Sequence, residues 1–395
     1  VLEHDVEREF KIYATLADLH IGNKAISPEE YKYQLKHGVI HKLEQLRFLD
    51  GIIICGDTTH YQISLNSEYS NVLSWFISKL IKIGKKHGAF IRIIKGTRSH
   101  DLEQLESLRH YEDDDEIDFK IINTKCVEVI DGYRYGYIPE ECIDEKPNKY
   151  YSEFYDMKND YFDLIFGHGT VKECQFFEQE SENITSKAPL IDTDRLMRVC
   201  RGPISFGHIH TPTNIKDKFF YIGSCLRTCH GEEHDKGWNV VCYVKKSGLY
   251  RVDKIVNEYT FNFNTLKLDN MFISQNDVDN IIIYIENYIE KYKTDRLSIK
   301  VNCVEERDNI LKIQVLKKYL ANDKRITSTF KILTEQAYER DMEIENNKIT
   351  KPYLAKGLDI VQQIQLWALD KRSIRLDEKD IRRFITADTL NRKGV

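Results

Sequence analysis

The chain has 395 residues, of which 41% are hydrophobic and 31% charged, with 19 Gly and 7 Pro. That length accommodates two or three domains, and the balance excludes a collagen-like, low-complexity or wholly disordered chain. The formal net charge of −5 gives no global basic field for nucleic acid, so a bound phosphate would have to meet local charge or bound cations.

No apolar run approaches the ~18 residues that a membrane span requires, and the first residues lack the basic and apolar regions of a signal peptide. A soluble, intracellular (cytoplasmic), non-secreted protein with no membrane partner is expected. The 9 Cys include no Cys-x-x-Cys pair, which fits reduced, mostly buried thiols rather than a disulfide framework or a zinc ribbon. Cys225 and Cys229 read as structural.

In chain order, Lys11–Ala17 reads as a buried strand. Ser27-Pro28-Glu29-Glu30 offers an N-cap, a Pro at the first helical position and a Glu at the third, predicting a helix to about Leu49. Ile52–Cys55 is a second strand. Val72, Leu73, Phe76, Leu80, Ile81 and Ile83 form an amphipathic stripe, and Phe90–Lys95 is a third strand. The acidic run Glu112–Asp118 reads as a solvated loop. Alternation from Cys126 to Tyr137 around Asp131-Gly132 predicts a hairpin, so the sheet is not purely parallel. Leu164–Phe166 and Ile204–Phe206 are further buried strands, and Asn239–Tyr243 and Leu249–Val252 turn at Ser247-Gly248.

This loop-crossover pattern stops near Asn257–Asn270. Three segments follow: 1–255, a small α/β domain over 256–350, and a helical tail over 351–395. In the middle segment Ile281 to Ile289 is a helix stripe, Leu297–Cys303 a strand, Ile310 to Leu320 a helix and Ile326–Leu333 a strand. The tail carries a stripe over Tyr353–Leu369 and a short charged helix near Asp380–Phe384, suited either to packing on its own chain or to a partner's groove.

Five predicted strands end in metal-ligand residues: Asp18-Leu19-His20, Gly56-Asp57, Gly96-Thr97-Arg98-Ser99-His100-Asp101, Gly167-His168-Gly169 and Gly207-His208-Ile209-His210. Loops at the carboxyl ends of strands in an open α/β sheet converge on one edge, and a preceding Gly leaves room for a side chain to turn toward a shared centre. Each piece alone is weak. Packing makes no demand for all of them in order, because Asp and His at buried strand ends require partners.

This order of motifs resembles the calcineurin-like metallophosphoesterase superfamily. Within it, Tyr221 to Thr228, followed by Gly231-Glu232-Glu233 and Asp235-Lys236-Gly237-Trp238, is similar to the segment that follows the last ligand pair in SbcD-like nucleases. The resemblance covers about Lys11 to Val252. It implies an α/β (α+β) fold with a two-sheet sandwich flanked by helices, a small capping domain and C-terminal partner-binding helices. It further implies Asp18, His20 and His210 on one metal, His168 and His208 on the other, and Asp57 bridging. Carboxylate and imidazole without thiolate suit Mn, Fe or Zn, and the family points to Mn. Such a pair activates water and stabilises the attacking and leaving oxygens at phosphorus. His100 is the candidate general acid, with Asp101 orienting it.

The chain departs from the family where Gly-Asn-His-Asp is usual. Gly96–Asp101 is two residues longer and has no Asn, leaving Ser99 or Thr97 as substitute ligands and implying weaker occupancy of the second site. His60 reads as a loop residue or as one that lines the site or contacts DNA, His230 and His234 as structural residues, and Arg227 as either a phosphate contact or an ion-pair partner of Glu232 or Glu233. The implied activity is a Mn-dependent DNA nuclease, acting as an exonuclease on duplex ends and an endonuclease on single strands or hairpins, in a homodimer with an SbcC-type coiled-coil ATPase docked on the C-terminal helices. A small-substrate phosphodiesterase of the same superfamily and a weakly active scaffold subunit are the competing readings.

Overall fold

The computed structural model describes residues 8–64, 66–101, 103–141, 150–156, 161–171, 190–232 and 234–339. The expected tail helices at Tyr353–Leu369 and Asp380–Phe384 lie outside them. Among the described residues no helix is long and apolar enough to cross a membrane, and the cysteines are free thiols, with Cys55, Cys200, Cys225 and Cys303 buried.

Two compact units divide the chain. One runs to Thr265 and takes in Ile289–Arg296; the other holds Leu266–Tyr288 and the residues from Leu297 onward. The class is α/β, with mixed sheets flanked by helices.

The first unit contains two six-stranded sheets. In one, β1 (Lys11–Leu16), β2 (Gly51–Cys55), β3 (Phe90–Ile94) and β4 (Phe119–Ile122) run parallel, and β11 (Gly237–Val244) and β12 (Leu249–Val256) add antiparallel on the β1 side. In the other, the order is β5 (Cys126–Ile130), β6 (Tyr133–Ile138), β7 (Leu164–His168), β8 (Ile204–Gly207), β10 (Phe219–Tyr221) and β9 (Thr213–Ile215), with β6, β7, β8 and β10 parallel. The β5–β6 hairpin turns where expected, with Asp131 at φ 51° and Gly132 at φ 76°, the pair of left-handed residues that a type I′ turn needs.

Apolar side chains explain how the sheets stack. Tyr13, Ile53 and Phe90 from one sheet and Tyr135, Tyr137, Leu164 and Phe166 from the other share one buried cluster, and the Tyr13 and Tyr135 hydroxyls hydrogen-bond across it at 2.8 Å. Central strands are buried along their length; β2, for example, is buried at every position, as expected for parallel strands covered on both faces. The outer face of the first sheet packs on Glu68–His87 and the Pro28 helix, and that of the second on Ser152–Tyr155 and Thr193–Val199.

The Pro28 helix begins with the expected capping box. Ser27 accepts from the Glu30 N–H while the Glu30 carboxylate accepts from the Ser27 N–H. It runs through a π turn at Lys36–Ile40 and ends at Glu44, short of the expected Leu49. The acidic run after Glu112 is partly paired, since Lys85 lies 2.7 Å from Asp114 and 2.8 Å from Glu116.

The second unit holds most of a three-stranded sheet, β13 (Phe263–Leu268), β14 (Arg296–Val304) and β15 (Ile326–Leu333), with most of helix Val278–Lys291 and all of helix Arg307–Leu320. Its core is Leu297, Ile299, Val301, Ile313, Leu316 and Leu320.

Candidate metal centre

The five ligand-bearing strand ends belong to β1, β2 and β3 of one sheet and β7 and β8 of the other, so stacking the sheets brings both sets to one edge. Backbone bonds lock them together. Asp18 N–H donates to the Gly56 carbonyl (3.1 Å) and His20 N–H to the Asp57 carbonyl (3.0 Å), while the Asp18 carboxylate accepts from His208 N–H at 3.0 and 3.2 Å.

Close approach is what requires the glycines. A Cβ on Gly56, which sits at φ +80°, would lie 2.2 Å from His168 Nδ1, and one on Gly96 would lie 2.2 Å from Asp57 N. Four of the candidate ligands themselves take left-handed backbone angles: Asp18 (51°), His20 (47°), Asp57 (48°) and His208 (99°). Such conformations are uncommon outside glycine and gather at functional sites.

Besides the trio His20, His60 and His100, the side chains form two Asp-containing groups whose ligand atoms lie within 4.8 Å of one another, Asp18 with His20 and His210, and Asp57 with His168 and His208. Asp57 stands between them, with Oδ1 3.4 Å from His168 Nε2 and Oδ2 3.8 Å from His20 Nε2. Asp18, His20, Asp57 and His168 are almost fully buried.

Hydrogen bonds set the ring orientations. His168 Nδ1–H donates to the Cys55 carbonyl (2.9 Å), and His210 Nδ1–H donates to Glu232. Each ring therefore turns its Nε2 inward; His210 Nε2 meets His20 Nε2 at 2.9 Å. The Tyr31 hydroxyl donates to the His20 carbonyl and holds that left-handed residue in place.

Electrostatics follow from packing carboxylates and imidazoles out of water. Burial raises the Asp18 carboxyl despite His210 and His168 nearby. Burial would do the same to Asp57, but His168, His20 and His100 around it hold it well below the usual carboxylate range. Burial disfavours the charged His168 ring, yet Asp57, Asp18 and Glu140 push it up to about 9. In the metal-free protein an imidazolium thus stands where positive charge is needed. Convergent imidazole nitrogens, buried carboxylates and the absence of thiolate from both groups suit a metal ion. These buried His and Asp groups can hold metal ions.

His100 Nδ1–H donates to the His60 carbonyl, and its Nε2 points inward, 4.0 Å from Asp57 Oδ2. Asp101 does not orient that ring directly. Its buried carboxylate accepts from the N–H groups of Thr59 (2.9 Å) and Gly96 (2.8 Å), clamping the loops after β2 and β3 together. Its role is to position the turn that carries His100, and the orienting acceptor is the His60 carbonyl.

The loop without an Asn also differs from expectation. Ser99 is exposed on the one-turn helix Arg98–Asp101. The hydroxyl in the second group belongs to Thr97, whose Oγ1 lies 3.4 Å from Asp57 Oδ2 and from His168 Nε2.

Three further residues were not assigned to the site from sequence. Glu140, after β6, places its carboxylate 3.2 Å from His208 Nδ1; it lacks the Gly or His that marks the other strand ends. Glu232 holds His210, and Lys236, itself 1% exposed, lies 3.4 Å from Glu232; both belong to the segment on which the family resemblance rests. His60 reaches the first group, with Nδ1 3.2 Å from His20 Nδ1. Arg227 spends its guanidinium on the Glu232 carbonyl (3.0 Å) and Asn262 Oδ1 (2.9 Å), which makes it structural. His230 packs edge-on against Phe263.

No family model and no curated protein matches the chain. Among solved structures, the chain is similar to glutamine-dependent NAD+ synthetase from Acinetobacter baumannii in complex with adenosine diphosphate, at 10% identity and a TM-score of 0.34 over 91% of this chain and 70% of that one. It is also similar to a protein of unknown function from Aquifex aeolicus, at 18% identity and a TM-score of 0.22 over 47% of this chain and 93% of that one. Likeness at these scores assigns neither fold family nor activity.

Proposed function

We propose that the protein is a two-metal phosphodiesterase of the calcineurin-like type, acting on DNA in the manner of SbcD-like nucleases. The observation that carries this reading is Asp57, which directs one carboxylate oxygen to each of two His-containing groups. Two divalent cations held there would supply Lewis-acid charge at phosphorus and a more acidic attacking water.

The chain's own residues do the rest. Asp57 joins the two halves of the centre, and its geometry is fixed by the Thr97 N–H at 2.7 Å. His208 and His210 flank the opening and are partly exposed. His100, with Nδ1–H held by a carbonyl, can present a proton at Nε2 to a leaving 3′ oxygen. Mn is the proposed metal, on donor chemistry and resemblance together. Dimerisation, and docking of an SbcC-type ATPase through residues 351–395, belong to the same proposal, as does a DNA-capping role for 256–350.

The test is release of nucleotide from end-labelled duplex DNA with Mn, with Mg and with chelator, comparing wild type with Asp57→Ala. Mn-dependent release that disappears in the variant is expected. Hydrolysis of a small diester without DNA cleavage, even with the ATPase present, would move the substrate to a small phosphodiester. Chelator-resistant hydrolysis would overturn the metal mechanism.

A further inference from the structure

Six strand ends, not five, reach the centre. Glu140 follows Pro139 at the end of β6, and its N–H donates to the Lys95 carbonyl (3.3 Å), tying it to the loop after β3. Its side chain is 8% exposed, with Oε2 3.2 Å from His208 Nδ1 and 3.6 Å from His168 Nε2. Thr97 Oγ1 shares the same space, 3.3 Å from Glu140 Oε2 and 3.5 Å from His208 Nδ1.

Neighbouring groups fix both rings. His208 Nε2 pairs with Thr170 Oγ1 at 3.1 Å, and His168 Nδ1–H is taken by the Cys55 carbonyl. The Nδ1 edge of His208 and the Nε2 edge of His168 both face the Glu140 carboxylate. Among the described residues the ion-pair partners of Glu140 are these two histidines. A buried carboxylate is costly unless positive charge lies beside it, and either protons on these rings or a cation among them supplies that charge.

We propose that Glu140 is a ligand of the second divalent cation, standing in for the asparagine missing from Gly96–Asp101, with the Thr97 hydroxyl beside it. The inference rests on the two-metal reading. It reverses the expectation of weak second-site occupancy, because a carboxylate replaces a neutral amide and affinity for hard cations rises with ligand charge. The second site becomes Asp57, Glu140, His168 and His208, two carboxylates and two imidazoles.

The experiment is Mn titration of the full-length chain by calorimetry, with electron paramagnetic resonance counting bound ions, for wild type, Glu140→Gln and Glu140→Asp. Two ions per wild-type chain are expected. Glu140→Gln should weaken one of the two sites by ~10-fold or more, in the range seen when a supporting group at a metal site is lost, and leave the other unchanged; Glu140→Asp should fall between. If Glu140→Gln does not fold, Glu140→Asp carries the comparison. Two sites with unaltered affinities in the variants would overturn the role of Glu140 while leaving the two-metal reading intact. A wild-type chain that binds no Mn would overturn the two-metal reading itself.

Discussion

The Glu232 carboxylate accepts the Nδ1–H of His210 and also the Thr228 N–H, so a residue 22 positions further along the chain fixes which nitrogen His210 presents. Lys236 completes the arrangement by donating to the His210 carbonyl (3.3 Å). Carboxylate–imidazole pairs of this kind set ligand orientation and basicity. Glu232→Gln should lower Mn affinity at the first site by ~10- to 100-fold, read by calorimetry. Glu232→Ala should in addition destabilise the fold by about 3–5 kcal/mol, because it strands the buried Lys236 ammonium, read by denaturant unfolding.

His100→Ala separates chemistry from metal binding. Loss of a general acid costs ~10²- to 10⁴-fold in rate, so DNA hydrolysis should fall by that factor while Mn content stays at the wild-type level. A nitrophenyl diester, whose leaving group needs no proton, should lose far less. Equal losses on both substrates would remove His100 from the acid role, and unchanged rates on both would favour the scaffold reading.

Gly38 lies in the π turn of the Pro28 helix, where an added Cβ would sit 1.9 Å from Asn257 Oδ1. Asn257 has little room to yield, since its side chain donates to the Cys225 carbonyl (3.1 Å) and accepts from the Tyr259 N–H (3.1 Å). Gly38→Ala should cost about 1–3 kcal/mol as overpacking, measured by urea denaturation, with metal binding retained after refolding.

Lys254 donates to the Ile222 carbonyl at 2.5 Å, and burial pulls its ammonium down to about 8 from 10.5. Between those values the unfolded chain binds more protons at this site than the folded one, so the contribution of Lys254 to stability is complete above 10.5 and is lost as pH falls through about 8. Lys254→Met should therefore stabilise the protein most at neutral pH, and its advantage over wild type should shrink as pH rises from 8 to 10. Thermal melting of both proteins across that range, in chelator, checks the sign. A constant difference would mean that the ammonium is not desolvated in the fold.

Most of the parallel framework was legible because buried strands have to be β-branched and uninterrupted. β2, β3, β7 and β8 were all visible as short apolar runs, as was the Asp131-Gly132 hairpin from its turn chemistry. Edge elements were not. β9, β10 and β13 are short or half-exposed, and neither period nor burial marks them strongly. The helix at Pro28 ends early because Gln45 to Asp50 must return to β2, and the Asp50 carboxylate, bound to the Ile12 N–H at 2.8 Å, anchors that return. Exposure decided against Ser99, and competing amides took Asp101 away from the His100 ring; neither could be counted from the order of residues.

What the chain specified by itself is the set of donor types and their places at strand ends: Asp18, His20, Asp57, His100, His168, His208 and His210 follow Gly or a buried strand, and that pattern is local. What tertiary structure decided is which of these donors meet, and what else joins them. Two sheets had to stack before Asp57 could face His20 on one side and His168 on the other, and β6 had to lie beside β7 before Glu140 could enter. The physical reason is range. Strand and turn preferences act over a few residues, whereas a metal site is closed by side chains whose only common property is the point in space to which the packed sheets bring them.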